Sequence, residues 1–403
     1  GGGRFDVVSW DPRGTHASTR VLCFRDPRDE ARFWAGAAIP LTRSASDRHR
    51  RLVVDLTRRC GVVSGWLLPH VSTADTARDL DHLRALLDEQ KLTYVGLSYG
   101  TYLGQTYANL FPDKVRAMLL NGVIDAPEYA KSAESRMKMF VRGSDAVFDQ
   151  FVALCERAGP ARCELAGGGQ TAAARVEELF ARIGRAPIPA LGVKPPLLSP
   201  QTLSRGDLLL SQFEPMRAPG RWPQNAAALE AALRGDGSAL ATGASAFLSP
   251  AGWAGTTTSA AIQCADAPAD RSLQSWPQVI GELERVSRLQ GLVQGWWEWA
   301  PCASWPVRGQ DAYRGPWNAR TANPILLVNQ RYDPNTAYAN AVRAEQYLGN
   351  AVLLTQEGYG HLSFQDPSTC VNKAMADYLV DLVVPPRGTV CPSDHEPFDP
   401  DFG

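Results

Sequence analysis

Gly96-Leu97-Ser98-Tyr99-Gly100 sets one serine between two glycines, each two places away. A serine hydroxyl is a weak nucleophile at neutral pH. It needs a base within hydrogen-bond reach and an acid to orient that base. A tight turn between a strand and a helix holds such a hydroxyl out over the end of a sheet, and small residues on either side let the turn close. The flanks suit this. Leu92-Thr93-Tyr94-Val95 is a β-prone run, and Thr101 to Ala108 reads as a helix. The first N–H groups of that helix, Tyr99 foremost, would face a developing oxyanion. The chemistry expected is acyl transfer through Ser98.

Of the six histidines, His361 and His395 follow the serine. His361 closes Glu357-Gly358-Tyr359-Gly360-His361, a loop directly after the last expected strand. Its glycines would let the ring swing over the sheet edge, so His361 is the expected base. His395 lies in the tail between Asp394 and Glu396 and reads as a surface residue. The acid should leave the preceding strand. Asp333, in Arg331-Tyr332-Asp333-Pro334, stands there. Asp125, after an earlier strand, is the rival position.

The elements that must carry these residues alternate. Phe5–Trp10 is an expected strand, closed by the turn Asp11-Pro12-Arg13-Gly14. Residues 15–70 are mixed, and the arginines from Arg43 to Arg51 read as a solvated face. Thr73 can cap a helix reaching about Gln90, with Ala77, Leu80, Leu83, Leu86 and Leu87 as its apolar stripe. Val115–Val123 is the strand after the serine. From about Asp125 to Arg320 the alternation gives way to helical windows such as Thr171–Ile183 and Asn225–Leu233. Pro- and Gly-rich breaks such as Pro187–Pro200 separate them. Then a strand over Pro324–Asn329, a helix over Thr336–Leu348, a strand over Ala351–Thr355 and a helix over Asn372–Val384 follow. Such alternation predicts an α/β fold, a mainly parallel sheet covered by helices on both faces. The expected organisation is a core of residues 1–124 and 321–403 around a mainly helical cap of residues 125–320.

Composition narrows the function. With 41 basic and 42 acidic side chains, the net charge of −1 gives no electrostatic case for nucleic acid or an anionic membrane. No apolar run of about 18 residues is present, so no membrane span is expected. The eight cysteines fall in near pairs along the chain and lack zinc-type C-x-x-C spacing. An even count of this kind favours disulfides and an oxidising compartment, though the sequence leaves the pairing open. No cofactor or metal is expected. The chain opens on Gly1-Gly2-Gly3 directly before a strand, so its natural start is expected further upstream.

Leu97-Ser98-Tyr99-Gly100-Thr101, Asp11-Pro12-Arg13-Gly14, Asp333-Pro334 and Gly360-His361 together resemble the tripeptidyl-aminopeptidase-like branch of the α/β-hydrolases. Ala261-Ile262-Gln263-Cys264-Ala265-Asp266, Cys302-Ala303-Ser304-Trp305-Pro306 and the stretch from Asn323 to Cys391 add to the likeness. The resemblance implies a doubly wound sheet and a secreted serine exopeptidase that releases residues or short peptides from free N-termini. It also implies Ser98 as nucleophile, Asp333 as acid, His361 as base and a Cys264–Cys302 pair across the cap. Two departures stand out. Asp333-Pro334-Asn335-Thr336-Ala337 replaces the family's Asp-Pro-Val-Thr-Pro. The family's His-Gly-Gly-Pro-Gly type loop, which donates one oxyanion N–H, and the strand between the Phe5 strand and the elbow strand have no counterpart. An upstream segment completing the sheet is therefore an expected partner.

An aminopeptidase must meet a cationic N-terminus with a carboxylate. Asp266, beside the Cys264 motif, is the preferred candidate, followed by Glu298 and Glu214. Trp296-Trp297-Glu298-Trp299 would line an apolar pocket or form cap core. The expected substrate is a peptide or a small ester. The alternatives are an esterase or lipase-like enzyme with the same triad, and a binding protein impaired by the lost oxyanion loop.

Overall fold

The computed structural model describes residues 3–35, 37–193 and 201–402. Its centre is a sheet of five parallel strands in chain order: β1 (Leu92–Leu97), β2 (Val115–Asn121), β3 (Ile325–Tyr332), β4 (Ala351–Tyr359) and β5 (Val390–Pro392). The near-continuous apolar runs of β2, β3 and β4 follow from burial on both faces. Met118, Leu120, Leu327 and Leu353 point to one face. There they meet Leu80 of helix α1 (Thr73–Leu86), Leu103 and Tyr107 of α2 (Tyr99–Leu110) and Ala341 and Ala344 of α3 (Tyr338–Tyr347). Ala117, Leu119, Leu326, Val328 and Leu354 point to the other, against Val371, Met375 and Tyr378 of α4 (Thr369–Asp381). The register pairs Leu97 with Asn121 and Asn121 with Val328, so the strands end at one level. Residues just beyond those ends can therefore share a site, as in open parallel sheets generally.

The expected strand at Phe5–Trp10 does not form. Those residues have no regular structure, and Val7 is 94% exposed. A strand exists only as part of a ladder. Among the described residues nothing pairs with the outer edge of β1, and Val95 and Leu97 stand 46% and 39% exposed there. The fifth strand is instead β5 in the tail, paired with β4. Thr73 is the first residue of α1, and Ser72 is its cap, through a reciprocal pair with Asp75.

Between β2 and β3 the chain is mainly helical. Ser144–Ala158, Ala172–Arg185, Trp222–Leu233 and Trp276–Val286 surround a core that includes Phe148, Phe151, Leu179, Trp222, Leu229, Trp296 and Trp299. Residues 194–200 of the expected Pro187–Pro200 break lie outside the described residues. The helix Arg43–Ser64 packs partly here, through Val53. Its Leu56 and Cys60 meet Ala261 and Ala265 of Pro250–Asp266. Arg43, Arg48 and Arg51 are exposed, as a solvated face requires.

Four disulfides join Cys23 to Cys60, Cys155 to Cys163, Cys264 to Cys302 and Cys370 to Cys391. The last ties β5 to α4 across a separation of 21 residues. Closing a loop of that size contributes roughly 3 kcal/mol in the chain-entropy account. Among the described residues no helix is long and apolar enough to cross a membrane.

Candidate active site

The turn after β1 puts Ser98 at φ 52°, ψ −118°. A positive φ is strained for a residue with a side chain and costs on the order of 1–3 kcal/mol. Neighbouring bonds hold it there. The Ser98 N–H donates to Asn121 O at 2.9 Å, and Ser98 O accepts from the Thr101 N–H at 2.8 Å and its hydroxyl at 2.7 Å. Gly96 is obligatory, since a Cβ there would stand 2.4 Å from Gly100 O. The Tyr94 hydroxyl donates to that same oxygen at 2.8 Å, closing strand on helix. The Tyr99 N–H, first in α2, has no acceptor among the described residues and is available to an oxyanion.

His361 follows β4. Gly360, at φ 90°, lets the loop turn where a Cβ would strike Arg217 O and Pro219 Cδ, each at 2.6 Å. The Gly360 N–H donates to Tyr332 O and the His361 N–H to Arg217 O, both at 2.8 Å. Leu362 O accepts from Gln330 Nε2 at 2.8 Å, and the Ser363 N–H donates to Asn121 Oδ1 at 3.2 Å. Strands β2 and β3 and the short helix Phe213–Arg217 thus grip the loop from three sides.

Asp333 follows β3. Its Oδ1 accepts the N–H groups of Asn335 and Thr336 at 2.8 Å each, and its Oδ2 accepts the Thr336 hydroxyl at 2.7 Å. His361 Nδ1 lies 2.9 Å from Oδ2 and 3.0 Å from Oδ1. The two side chains are 1% and 0% exposed. An ionised carboxylate only accepts, so Nδ1 carries the proton and Nε2 is left as the basic nitrogen.

Asn121 and Gly122 lie between Ser98 and His361. Asn121 O holds the Ser98 N–H, and a Cβ on Gly122 (φ 71°) would come within 3.3 Å of His361 Cε1. No hydrogen bond joins the Ser98 hydroxyl to the His361 ring in this geometry. Such bonds commonly tighten only when substrate is bound.

Asp125 is elsewhere. It caps the helix Ala126–Lys131 through the Glu128 N–H at 3.3 Å and pairs with Arg343 at 2.5 Å. Burial raises its pKa, and no contact ties it to His361. His395 is exposed, beside Asp394, which holds the first N–H of α4.

The three carboxylates considered for substrate fall in two places. Asp266 is 1% exposed, and both its oxygens are taken by Thr73, through the N–H at 2.7 Å and the hydroxyl at 2.6 Å. Burial pushes its pKa up to about 7 against the pull of those bonds. A substrate amine could reach it only by displacing Thr73. Adjacency to Cys264 in sequence does not say which way the side chain turns, and here it turns inward. Glu298 is half-buried, and Oε2 accepts from Gln263 Nε2 at 2.8 Å. Burial raises its pKa too, against Gln263 and the charge of Arg136. Both carboxylates feel Arg136, whose guanidinium lies 5.2 Å from the Tyr129 ring centre. Glu214 is on the helix Phe213–Arg217 that grips the base loop, 45% exposed and paired with Arg217 at 3.0 Å. Trp296 and Trp299 are buried in the core of the helical region between β2 and β3, with Trp299 Nε1 donating to Glu134 at 3.0 Å. A cavity of about 770 Å³ lies against Trp276, Trp296 and Arg50, and includes none of Ser98, Asp333 or His361.

Sequence reasoning passed over Thr336, Asn121 and Gln330. Asp333-x-x-Thr336 has the spacing of a local turn box. Asn121 and Gln330 are polar residues ending apolar strand runs. That was the signal for residues that hold loops at the sheet's rim.

The family model described as "TAP-like protein" matches residues 292–391. The tripeptidyl aminopeptidase of Streptomyces lividans is 31% identical over 410 residues, spanning 96% of this chain and 70% of that protein. The serine protease Hip1 of Mycobacterium tuberculosis is 28% identical over 400 residues, spanning 96% and 75%. A protein named carboxylesterase B from Mycobacterium tuberculosis is 30% identical over 402 residues, spanning 96% and 73%. With a sheet, an elbow and a buried His–Asp pair of this kind, the chain belongs to the tripeptidyl-aminopeptidase-like branch of the α/β-hydrolases.

Proposed function

We propose that the protein is a serine peptidase that cleaves peptides near their free N-termini through an acyl-enzyme on Ser98. The carrying observation is the enclosed Asp333–His361 pair, 2.9 Å apart, brought to the same strand ends as the Ser98 elbow. In this reading Ser98 Oγ attacks the substrate carbonyl while His361 Nε2 takes its proton. Asp333 keeps Nδ1 protonated and offsets the imidazolium charge. The Tyr99 N–H receives the oxyanion. His361 then protonates the leaving amine, and water, deprotonated by the same nitrogen, releases the acyl group.

Glu298 is our choice for the substrate ammonium. It is half-buried, one of its oxygens is unbonded, and its low-dielectric setting strengthens any pair it forms. We further propose that the open edge of β1 receives a strand from an upstream segment, which would bring a second oxyanion donor. A missing donor costs about 10²–10³ in turnover. The four disulfides fit an oxidising compartment, and secretion is the reading we favour.

The relative named carboxylesterase B supports a second reading, an ester hydrolase with the same triad. Chromogenic tripeptidyl and aminoacyl amides, their N-acylated forms and short acyl esters separate the two, each assayed with Ser98→Ala alongside. Serine-dependent release that needs a free amine supports the peptidase. Ester preference indifferent to the amine supports the esterase.

A further inference from the structure

We propose that Asp266 is a positioning residue for the elbow, holding the Tyr99 phenol through Thr73 and with it the backbone N–H that faces the oxyanion. The proposal rests on acyl transfer at Ser98. Asp266 ends the cap helix Pro250–Asp266, and Cys264, two residues earlier, is fixed to Cys302. Thr73 is the first residue of α1, and Tyr99 is the first residue of α2. One carboxylate of the cap therefore reaches the starts of two core helices.

The bonds form a short chain. Asp266 accepts the Thr73 N–H at 2.7 Å and the Thr73 hydroxyl at 2.6 Å, and that hydroxyl lies 2.5 Å from the Tyr99 hydroxyl. Thr73 has one hydroxyl proton. Where Asp266 is ionised it can only accept, so there Thr73 donates to Asp266 and Tyr99 donates to Thr73. Burial, reinforced by the nearby Asp266 charge, holds the Tyr99 phenol well above its ordinary pKa, so it keeps the proton it must donate. Other groups around Asp266 leave this order intact. Arg136 favours its ionised form and Asp75 opposes it. The Tyr102 and Tyr129 phenols, also raised by burial, remain neutral. Arg314 Nε donates to the Asp266 backbone oxygen at 3.3 Å, not to the carboxylate.

The chain leads to the residue whose N–H needs placing. Ser98 is held by Asn121 and Thr101, but the Tyr99 N–H is left open for substrate. Its side chain is anchored instead, at the far end of the ring, by the cap. Seating of the cap is thereby felt at the oxyanion position. A group that acts there affects the transition state more than the bound substrate.

Tyr99→Phe removes one oxygen and keeps the ring. Thr73→Val removes the middle hydroxyl and keeps the N–H to Asp266. The test measures the rate at which a fluorophosphonate labels Ser98, together with kcat and KM on a substrate the wild type turns over. Each variant, and Asp266→Asn, should lower labelling and kcat by about tenfold, the worth of one buried hydrogen bond, with KM within about twofold. The Tyr99→Phe/Thr73→Val double variant should be no slower than the slower single, because both cut one chain. Thr73→Ser should recover what Thr73→Val loses. Tyr99→Phe at wild-type rate, or a double variant whose loss is the product of the two, would overturn the relay. A wild type that is never labelled would remove the Ser98 reading beneath it, a result distinct from either.

Discussion

The two halves of the candidate site are held in different ways. His361 and Asp333 leave β4 and β3, inside the sheet, and are closed off from solvent. Each bond that holds them comes from a strand end, a local turn or the backbone of a packed cap helix. Ser98 leaves β1, at the sheet's edge, with Val95 and Leu97 exposed beside it. Its turn relies on Asn121 on one side only, on Thr101 and Tyr94 within the elbow, and on the cap through Asp266. An enclosed pair keeps its geometry by packing. An edge turn keeps it by a few directed bonds and by whatever lies along the open flank.

Six substitutions can break or sharpen this contrast. The largest effect falls on the enclosed pair. Asp333→Asn should cut acylation of Ser98 by about 10⁴-fold, by stabilising the wrong imidazole tautomer. Asp125→Asn should leave acylation within about twofold, and the reverse pattern in labelling rates would move the acid to Asp125. Next comes stability. Leu354→Ala, in buried β4, should cost about 2–5 kcal/mol in denaturant unfolding, whereas Val95→Lys on the open edge should stay within about 0.5 kcal/mol. Equal losses would show that β1 is not an edge in solution.

A pH effect of comparable size belongs to Asp366, buried behind the base loop. Its Oδ2 accepts the Tyr359 N–H and the Ser393 hydroxyl, each at 2.8 Å, yet burial pushes its pKa up to about 6. A carboxyl whose pKa is raised on folding favours the fold most below its unfolded value near 3.8, and that contribution is lost as pH rises to about 6. Asp366→Asn should therefore be more stable than the wild type at pH 7.5, by up to about 3 kcal/mol, with the advantage vanishing near pH 4. A constant difference in Tm across that range would contradict it. The smallest effect is at Thr336. Thr336→Val should reduce kcat by about tenfold without moving KM, since one bond to Asp333 is lost while His361 keeps its own.

Much of the site was legible because it is local. Glycines at a fixed spacing about Ser98, a β-prone run and a helix after it make an elbow without help from the rest of the chain. His361 and Asp333 stood out because each follows an apolar strand run with turn residues around it. What was not legible depends on neighbours. The β-prone residues of Phe5–Trp10 do not say which strand they would pair with, and the segment stays irregular. Strand β5 is three residues long, too short for any period, and is placed by its ladder to β4 and the Cys370–Cys391 link. The place of Asp266 beside Cys264 does not set its direction, and packing turns it toward Thr73. The tryptophans divide by helical geometry. Trp296 and Trp299, three apart, share the inward face, and Trp297 between them is only partly buried.

The central claim is that Ser98, activated by His361 and Asp333, is a nucleophile. Fluorophosphonate labelling of the folded full-length protein, mapped by mass spectrometry and timed for the wild type and Asp333→Asn, tests it most directly. The account predicts a single covalent adduct on Ser98, formed orders of magnitude more slowly in Asp333→Asn. No adduct on Ser98, or one formed equally fast in both proteins, would contradict it.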